Sequence, residues 1–243
     1  MTALAELVEK DRNHSCAGIG PDEVCVRIVS VADLPTRFGT FRIVAFWNNR
    51  DASDHVAIIK GDVVDQPDVL TRLHSECLTG DALGSLRCDC RDQLEHSLRR
   101  IEQAEHGMVL YLRQEGRGIG IMNKIRAYSL QDQGLDTVDA NRALGFRDDE
   151  RDYAIAAHMI RSLRVGSVKL MTNNPIKINQ LKQYGVTVSS REPHVLPPNP
   201  HNRFYLETKA SRSGHWIDLN GKQHLPEQSD PVVVAGMKME EPI

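Results

Sequence analysis

Three of the five cysteines lie close together in the stretch HSECLTGDALGSLRCDC, at residues 74–90. Cys77, Cys88 and Cys90 have the spacing C-x10-C-x-C, and their neighbours are charged or hydroxyl side chains. Thiolates are good ligands of Zn²⁺, and a zinc ion with three protein ligands keeps a fourth position for water. Such an ion lowers the pKa of the bound water to roughly 7, which provides hydroxide at neutral pH. The cluster therefore predicts a catalytic zinc site.

Two other interpretations of this cluster are open from the spacing. His74 could supply a fourth ligand, which would make the zinc structural, or the thiols could simply be buried without a metal. Gly80 and Gly84 in the ten-residue loop give Cys77 the freedom to approach the other two thiols. Cys16 and Cys25 lie apart from the cluster, and we expect them to be ordinary cysteines.

A second candidate element is RQEGRGIG, at residues 113–120, between a predicted strand and a predicted helix. Its three glycines would allow a ligand to approach the backbone, and the helix start offers unpaired N–H groups to an anion. Arg113 and Arg117 add forked donors that suit phosphate. The spacing is neither that of a dinucleotide-binding fingerprint nor that of a P-loop. A tight glycine turn with solvated arginines is the alternative to a phosphate-binding loop.

Polar residues also lie where other strands meet helices. TNNP (172–175) and Lys177 follow one predicted strand, and Thr137 is a candidate N-cap. Asp148 or Asp149 would cap a helix over 150–163, which places Arg151 in its first turn. The helix dipole disfavours a cation there, so we expect a negative partner, either the adjacent aspartates or a ligand phosphate.

These motifs must be positioned by a mixed α/β (α+β) fold. β-branched and aromatic residues predict strands over 24–32, 39–47 and 55–64, and a further strand at LTRLHSE. Helical spacing follows over 94–104, 121–131, 138–144, 150–163 and 175–183, with strands at 108–112 and 165–172. We therefore expect a strand-rich N-terminal part followed by alternating strands and helices around a mixed sheet.

Composition limits the classes of protein that this chain can represent. The net charge of −3 disfavours a nucleic-acid coat, and no apolar run approaches the ~20 residues of a membrane span. A charged start and an odd number of cysteines favour a cytoplasmic protein without a disulfide framework. We expect a poorly ordered N-terminal extension over 1–24, a single catalytic domain over 25–215 and a C-terminal tail over 216–243.

Taken together, the cysteine stretch, RQEGRGIGIMNKIRAYSLQDQGLDTVDANRALGF, DDERDY and TNNPIK resemble the signature blocks of GTP cyclohydrolase II. The likeness extends in unbroken order over about 35–215, and it includes LPTRFGTFRIVAF and NPHNRFYLETKASRSGH. It implies hydrolysis of GTP that releases C8 as formate, together with pyrophosphate. The product would be 2,5-diamino-6-ribosylamino-4(3H)-pyrimidinone 5′-phosphate, which begins riboflavin biosynthesis. One Zn²⁺ per subunit, Mg²⁺ with the triphosphate and a homodimer are implied as well.

The resemblance also assigns roles to residues of this sequence. It makes Cys77, Cys88 and Cys90 the zinc ligands, Asp149 a proton acceptor, Arg151 a nucleophile, and Tyr128 an aromatic residue of the site. The implied substrate-binding positions are Arg72, Leu73, His74, Ser75, Glu76, Gln93, Glu115, Gly116, Arg117, Thr137, Thr172 and Lys177. Tyr128 could donate a proton to the departing ring nitrogen. Glu115, or alternatively Glu76, could accept the N–H donors of guanine, and Arg72, Arg117, Thr172 and Lys177 could hold the triphosphate.

Two residues invite alternative interpretations. Arginine stays protonated at any workable pH, so Arg151 could equally bind the α-phosphate as a cation. Arg91 stands where the family usually has glycine, and a positive φ at this position would be strained. The alternatives to the full reaction are ring opening without release of formate, or a non-catalytic nucleotide-binding paralogue with structural zinc.

Overall fold

A single mixed sheet forms the centre of the computed structural model, which describes residues 3–12, 14, 23–212 and 214–217. Within these residues the strands are β1 (Val26–Thr36), β2 (Gly39–Asn48), β3 (His55–Lys60), β4 (Val69–Ser75), β5 (Gly107–Leu112), β6 (Val168–Met171) and β7 (Val188–Glu192). Their order across the sheet is β1-β2-β3-β5-β4-β6-β7. The predicted mixed α/β class is confirmed.

The N-terminal half of the sheet is antiparallel. β1 pairs with β2, β2 with β3, and β3 with β5. β1 continues to Thr36, beyond the predicted end at residue 32, although it contains Pro35. Because β1 is an edge strand, the missing N–H of a proline costs no ladder hydrogen bond there.

The other half of the sheet is parallel, and this arrangement positions the site. β4 lies between β5 and β6, β7 flanks β6, and all four run in the same direction. The carboxyl ends of β4, β5 and β6 therefore meet at one edge, at Ser75, Leu112 and Met171. In open sheets of this kind ligands bind outside the carboxyl ends of the strands.

Helices cover both faces of the sheet. They are α1 (Ala3–Asp11), α2 (Cys90–Glu102), α3 (Gly120–Asp132), α4 (Thr137–Ala143), α5 (Ala154–Ser162), α6 (Pro175–Gln183) and α7 (Arg203–Arg212). The larger core cluster includes the buried face of α5, and a smaller cluster packs Leu98 and Ile101 of α2 against Phe41 and Val109. None of the described helices combines the length and apolar character of a membrane span.

Two predicted helix starts were wrong in detail. The N-cap of α4 is Asp136, whose side chain accepts from the N–H groups of Val138 and Asp139, so Thr137 is the first helical residue. α5 begins at Ala154, where the carboxylate of Asp152 accepts the N–H of Ala154. Arg151 therefore precedes this helix instead of lying in its first turn. Arg91 is helical and has no positive φ, so the strain expected there is absent.

The chain ends also differ from expectation. Residues 3–11 of the predicted disordered extension form α1, whose Leu4 and Leu7 are buried in the larger core cluster. α7 and β7 were not predicted. Cys25, expected to be an ordinary thiol, is disulfide-bonded. Cys16, residues 17–22 and most of the predicted tail (218–243) lie outside the described residues.

We predict that Leu4→Ala lowers the free energy of unfolding by about 3 kcal/mol, because it removes a side chain that is 1% exposed from the core. Urea denaturation followed by circular dichroism measures this change. Glu6→Ala alters an exposed position of the same helix and should change stability by less than about 0.5 kcal/mol. Equal stabilities of the two variants would contradict the packing of α1 on the core.

Candidate functional site

The site lies where the loops after β4, β5 and β6 converge. The loop after β4 carries Cys77 and continues as a π-helical turn at Leu78–Ala82. The loop after β5 forms a 3₁₀ turn at Glu115–Gly118, and the loop after β6 leads to the N-cap of α6 at Asn174. Residues far apart in the sequence therefore meet because the parallel strands end at one edge of the sheet.

The three thiols of the cysteine stretch form one cluster. The sulfur atoms of Cys77, Cys88 and Cys90 lie within 4.8 Å of one another, and the Sγ atoms of Cys77 and Cys88 are 3.6 Å apart. Zn–S bonds of ~2.3 Å in a tetrahedron require sulfur atoms about 3.8 Å apart. Among the described residues, this is the one group of three or more His, Cys, Asp or Glu side chains with such geometry. The donor set fits a zinc ion with three protein ligands.

His74 does not join the cluster. Its Nε2 donates to the carboxylate of Asp81 at 3.0 Å, and its ring stacks on Tyr111 at 5.4 Å between centroids. Burial lowers the pKa of His74 against the raising effect of Asp81, so the imidazole is neutral. Asp81 also accepts the N–H of Cys77 at 3.0 Å and the hydroxyl of Tyr111 at 2.9 Å. His74 and Asp81 thus hold the loop that carries Cys77, and the described residues place no fourth His, Cys, Asp or Glu side chain in the cluster.

Gly80 is required by the close approach of the thiols to the π-helical turn. A Cβ at this position would lie 2.9 Å from the Sγ of Cys88 and 3.1 Å from the Sγ of Cys77. The N–H of Gly80 also points at the Sγ of Cys77, at 3.4 Å. We predicted that this glycine would give the loop freedom, but its main role is the lack of a side chain.

Lys124 of α3 is a site residue that the sequence reasoning missed. Its ammonium donates to the Sγ of Cys77 at 3.1 Å and to the carboxylate of Glu115 at 2.7 Å. Burial disfavours the charged ammonium, but Glu115 and Cys77 outweigh this effect and raise the pKa of Lys124. Hydrogen bonds from Cys88 and Cys90, followed by the charge of Lys124, lower the pKa of Cys77. Lys124 therefore favours the thiolate that a metal ligand must be.

Tyr128 lies one helical turn after Lys124, on the same face of α3. Its hydroxyl is 3.3 Å from the hydroxyl of Thr79, and the guanidinium of Arg87 lies 5.0 Å from its ring centroid. Burial raises the pKa of Tyr128, so the phenol keeps its proton at neutral pH. The four-residue spacing of Lys124 from Tyr128 was the available signal for this lysine.

The segment RQEGRGIG (113–120) forms a bend that is neither a P-loop nor a simple turn. Gly116 and Arg117 both have left-handed backbone conformations, with φ of 63° and 61°. The carboxylate of Glu115 accepts the N–H of Leu78 at 2.6 Å and the N–H of Gly116 at 2.7 Å, in addition to Lys124. Glu115 therefore fastens this loop to the loop that carries Cys77.

Arg151 and Asp149 form a bidentate ion pair. The Nε and Nη2 atoms of Arg151 lie 2.8 and 2.5 Å from the two carboxylate oxygens of Asp149. Burial disfavours the charge on Asp149, but hydrogen bonds and charge from Arg151 lower the pKa of this carboxyl. The negative partner expected for Arg151 is thus Asp149, and both groups are charged. Arg151 also reaches Ser75 Oγ, at 3.4 Å.

Arg72 and Lys177 are buried cations that contact neutral acceptors. Arg72 donates to the carbonyl of Met171 at 2.9 Å and to the side-chain oxygen of Gln93 at 2.5 Å. Lys177 donates to the carbonyl of Leu73 at 2.8 Å. Burial lowers the pKa of Arg72 to about 10 and lowers that of Lys177 strongly. Neither forms an ion pair with a carboxylate in the described part of the chain.

Two adjoining cavities place most of the predicted residues together. The thiol cavity is lined by the three thiols and, among others, Glu76, Glu115, Gly116, Lys124, Tyr128 and Thr137. The cationic cavity is lined among others by Arg72, His74, Gln93, Thr172, Asn174, Lys177, His194 and Lys209. Both include Ser75, Cys90, Arg117, Arg151 and Tyr205.

Two of the site residues implied by the resemblance line neither cavity, and neither does Arg113, whose guanidinium pairs with Glu76 at 3.3 Å. The side chain of Leu73 is fully buried in the larger core cluster, so this residue contributes only its carbonyl. Asp149 acts on the cavities through Arg151. Tyr205, Lys209 and His194 were not predicted as site residues. Tyr205 and Lys209 lie in the block NPHNRFYLETKASRSGH, to which the resemblance assigned no role in the site.

Comparison with known proteins identifies one family. Residues 26–193 match the family model described as GTP cyclohydrolase II. The GTP cyclohydrolase-2 of Histophilus somni (strain 2336) is 52% identical over 200 residues, which cover 82% of this chain and 93% of the relative. That of Aeromonas hydrophila subsp. hydrophila is 54% identical over 190 residues, covering 78% and 96%. The riboflavin biosynthesis protein RibBA of a Synechocystis species is 47% identical over 231 residues, covering 90% and 42%.

We predict that Gly80→Ala weakens zinc binding roughly tenfold or more, because the new methyl group would displace the thiols. Competition with a chromogenic chelator measures the affinity, and circular dichroism verifies that the fold is kept. Leu83→Ala, at a 72% exposed position of the same loop, is the matched control and should bind zinc normally. An unchanged zinc affinity in Gly80→Ala would contradict the assignment of the three thiols as ligands.

Proposed function

The chain belongs to the GTP cyclohydrolase II family of hydrolases, and on this premise we propose that it hydrolyses GTP in a zinc-dependent reaction of riboflavin biosynthesis. The proposed products are formate, from C8 of guanine, pyrophosphate and the 2,5-diaminopyrimidinone nucleotide. The observation that carries this proposal is the pairing of two cavities. One contains three clustered thiols, and the adjoining one contains buried cations without carboxylate partners.

The cationic cavity suits the triphosphate. A buried cation without a counter-ion is costly in free energy, and an anion that enters the cavity removes this cost. Arg72 and Lys177 lie at the carboxyl edge of the sheet, and among the described residues neither has a carboxylate partner that a phosphate would have to displace. Thr172 lies beside them, at the end of β6. We therefore assign the phosphates to this cavity, and Mg²⁺ would accompany the triphosphate there, as the resemblance implies.

The thiol cavity suits the guanine base. A Zn²⁺ ion held by the thiols would lower the pKa of a bound water and so supply a nucleophile at neutral pH. Tyr128 keeps its proton and lines this cavity, so it can donate a hydrogen bond or a proton to a ring nitrogen. Glu115 is our candidate for recognition of one guanine N–H donor, because it lines this cavity and one of the roughly four acceptor sites of its carboxylate is not taken by Leu78, Gly116 or Lys124.

Arg151 lies between the two cavities, where the α-phosphate of a bound nucleotide would be. Its bidentate pair with Asp149 fixes the guanidinium plane and keeps it charged. A charged guanidinium is a poor nucleophile, but it donates strong hydrogen bonds to phosphate oxygens. We therefore favour Arg151 as a cation for the α-phosphate, with Asp149 as the residue that orients it, over a covalent adduct. A homodimer remains part of the proposal through the resemblance.

The proposed reaction predicts one formate released for each GTP consumed. The protein is incubated with GTP and Mg²⁺, and formate, pyrophosphate and the pyrimidine product are quantified before and after removal of zinc by a chelator. Chelation should abolish release of formate, and zinc addition should restore it. A formate-to-GTP ratio well below one would instead favour ring opening alone, and full activity without zinc would exclude the proposed mechanism.

We predict that Lys177→Met weakens GTP binding by about a hundredfold, because it removes a charge-assisted hydrogen bond from a buried cavity. The same substitution should leave the stability of the substrate-free protein unchanged or raise it, because burial disfavours the charged ammonium of Lys177 and lowers its pKa. Equilibrium GTP titration and urea denaturation measure the two effects. Lys182→Met, at an exposed position of α6, is the matched control. A large loss of stability with normal GTP binding would show that Lys177 is structural.

A further inference from the structure

Helix α7 forms a wall of the cationic cavity although it lies beyond the residues matched by the family model, which end at 193. Tyr205 and Lys209, one helical turn apart, both line this cavity. The ammonium of Lys209 lies 4.3 Å from the ring centroid of Tyr205. Tyr205 also lines the thiol cavity, so it lies at the junction of the two. This face of α7 is therefore turned toward the proposed substrate.

Ion pairs and backbone hydrogen bonds hold α7 in this place. Arg212 pairs with Asp139 at 2.9 Å and also with Asp136, the N-cap of α4. Beyond the helix, the N–H of Trp216 donates to the carbonyl of Asn173 at 2.8 Å. The segment is therefore attached to α4, which lines the thiol cavity, and to the loop after β6, where Asn173 lines the cationic cavity.

Lys209 is connected to both halves of the site. Its ammonium lies 3.1 Å from the carboxylate of Asp89, the residue between the thiols Cys88 and Cys90. The same carboxylate accepts from Gln93 at 2.5 Å, and Gln93 in turn accepts from Arg72 at 2.5 Å. A continuous chain of hydrogen bonds thus joins Lys209 of α7, Asp89 of the cysteine stretch and Arg72 of the cationic cavity.

We propose that Lys209 is a further substrate-positioning residue, which binds the polyphosphate of the nucleotide directly. This inference rests on the proposed function and adds a residue to it. An ammonium has three donors; the pair with Asp89 uses one of them and a hydrogen bond to Tyr205 uses a second, which leaves one for a ligand. The side chain of Lys209 is 13% exposed and lines the same cavity as Arg72 and Lys177, so we assign the third donor to the phosphates. The contact with Asp89 connects phosphate binding to the segment that carries two zinc ligands.

Equilibrium titrations with GTP and with guanosine test this role. Lys209→Met should weaken GTP binding roughly ten- to hundredfold and leave guanosine binding within twofold, because guanosine has no phosphate for Lys209 to contact. Lys209→Arg should recover most of the affinity for GTP. Arg203→Met removes an exposed cation from the same helix and serves as the charge-matched control, with GTP binding unchanged.

Loss of Lys209 leaves Asp89 buried without its partner, which could unfold the protein. The double variant Asp89→Asn, Lys209→Met removes both charges, and it should show the same selective loss of GTP binding. Equal weakening of GTP and guanosine, or unchanged GTP binding in either variant, would overturn the proposal. If the unaltered protein binds GTP but releases no formate, the proposed reaction fails, whereas a selective effect of Lys209→Met on GTP would still support the assignment.

Discussion

The site depends on buried positive charge that the protein itself leaves uncompensated. Arg72 extends from β4 and Lys177 from the first turn of α6, and both contact neutral oxygens at the carboxyl edge of the sheet. Burying such cations costs free energy, so a flexible loop would turn them toward solvent. Three parallel strands with fully buried residues at their centres hold the surrounding backbone in place. The rigidity of the sheet therefore maintains a cavity with affinity for an anion.

Carboxylates form ion pairs with three other cationic side chains of the two cavities. Glu115 neutralises Lys124 beside the thiols, Asp149 orients Arg151 at the junction, and Asp89 pairs with Lys209 next to the cysteine stretch. Each of these pairs fixes the direction of a donor without removing its charge. Arg72 and Lys177 have no such partner among the described residues, and they lie where we place the phosphates. The thiol cavity receives its support from Lys124, which favours the thiolate of Cys77.

Helix starts and chain ends show where local sequence signals were insufficient. Thr137 and Asp149 are good N-cap residues, but the carboxylates of Asp136 and Asp152 lie nearer the helix N–H groups and accept from them instead. Asp149 is then free to pair with Arg151. Leu4 and Leu7 of α1 form only one short apolar face, which is too weak a pattern to predict a helix from the sequence. The helix is stabilised because this face packs on the larger core cluster. Tertiary contacts decided these cases because several local choices were close in free energy.

The sequence by itself determined the class of the fold, the cysteine cluster and the family, because strand and helix periods and long motifs are local properties of the chain. It also indicated that polar residues follow β4, β5 and β6. Only the tertiary structure decided that His74 binds Asp81 instead of a metal, that Gly80 makes room for the thiols, and that Lys124 and Lys209 belong to the site. These outcomes depend on distances between segments up to 120 residues apart, which local patterns do not encode.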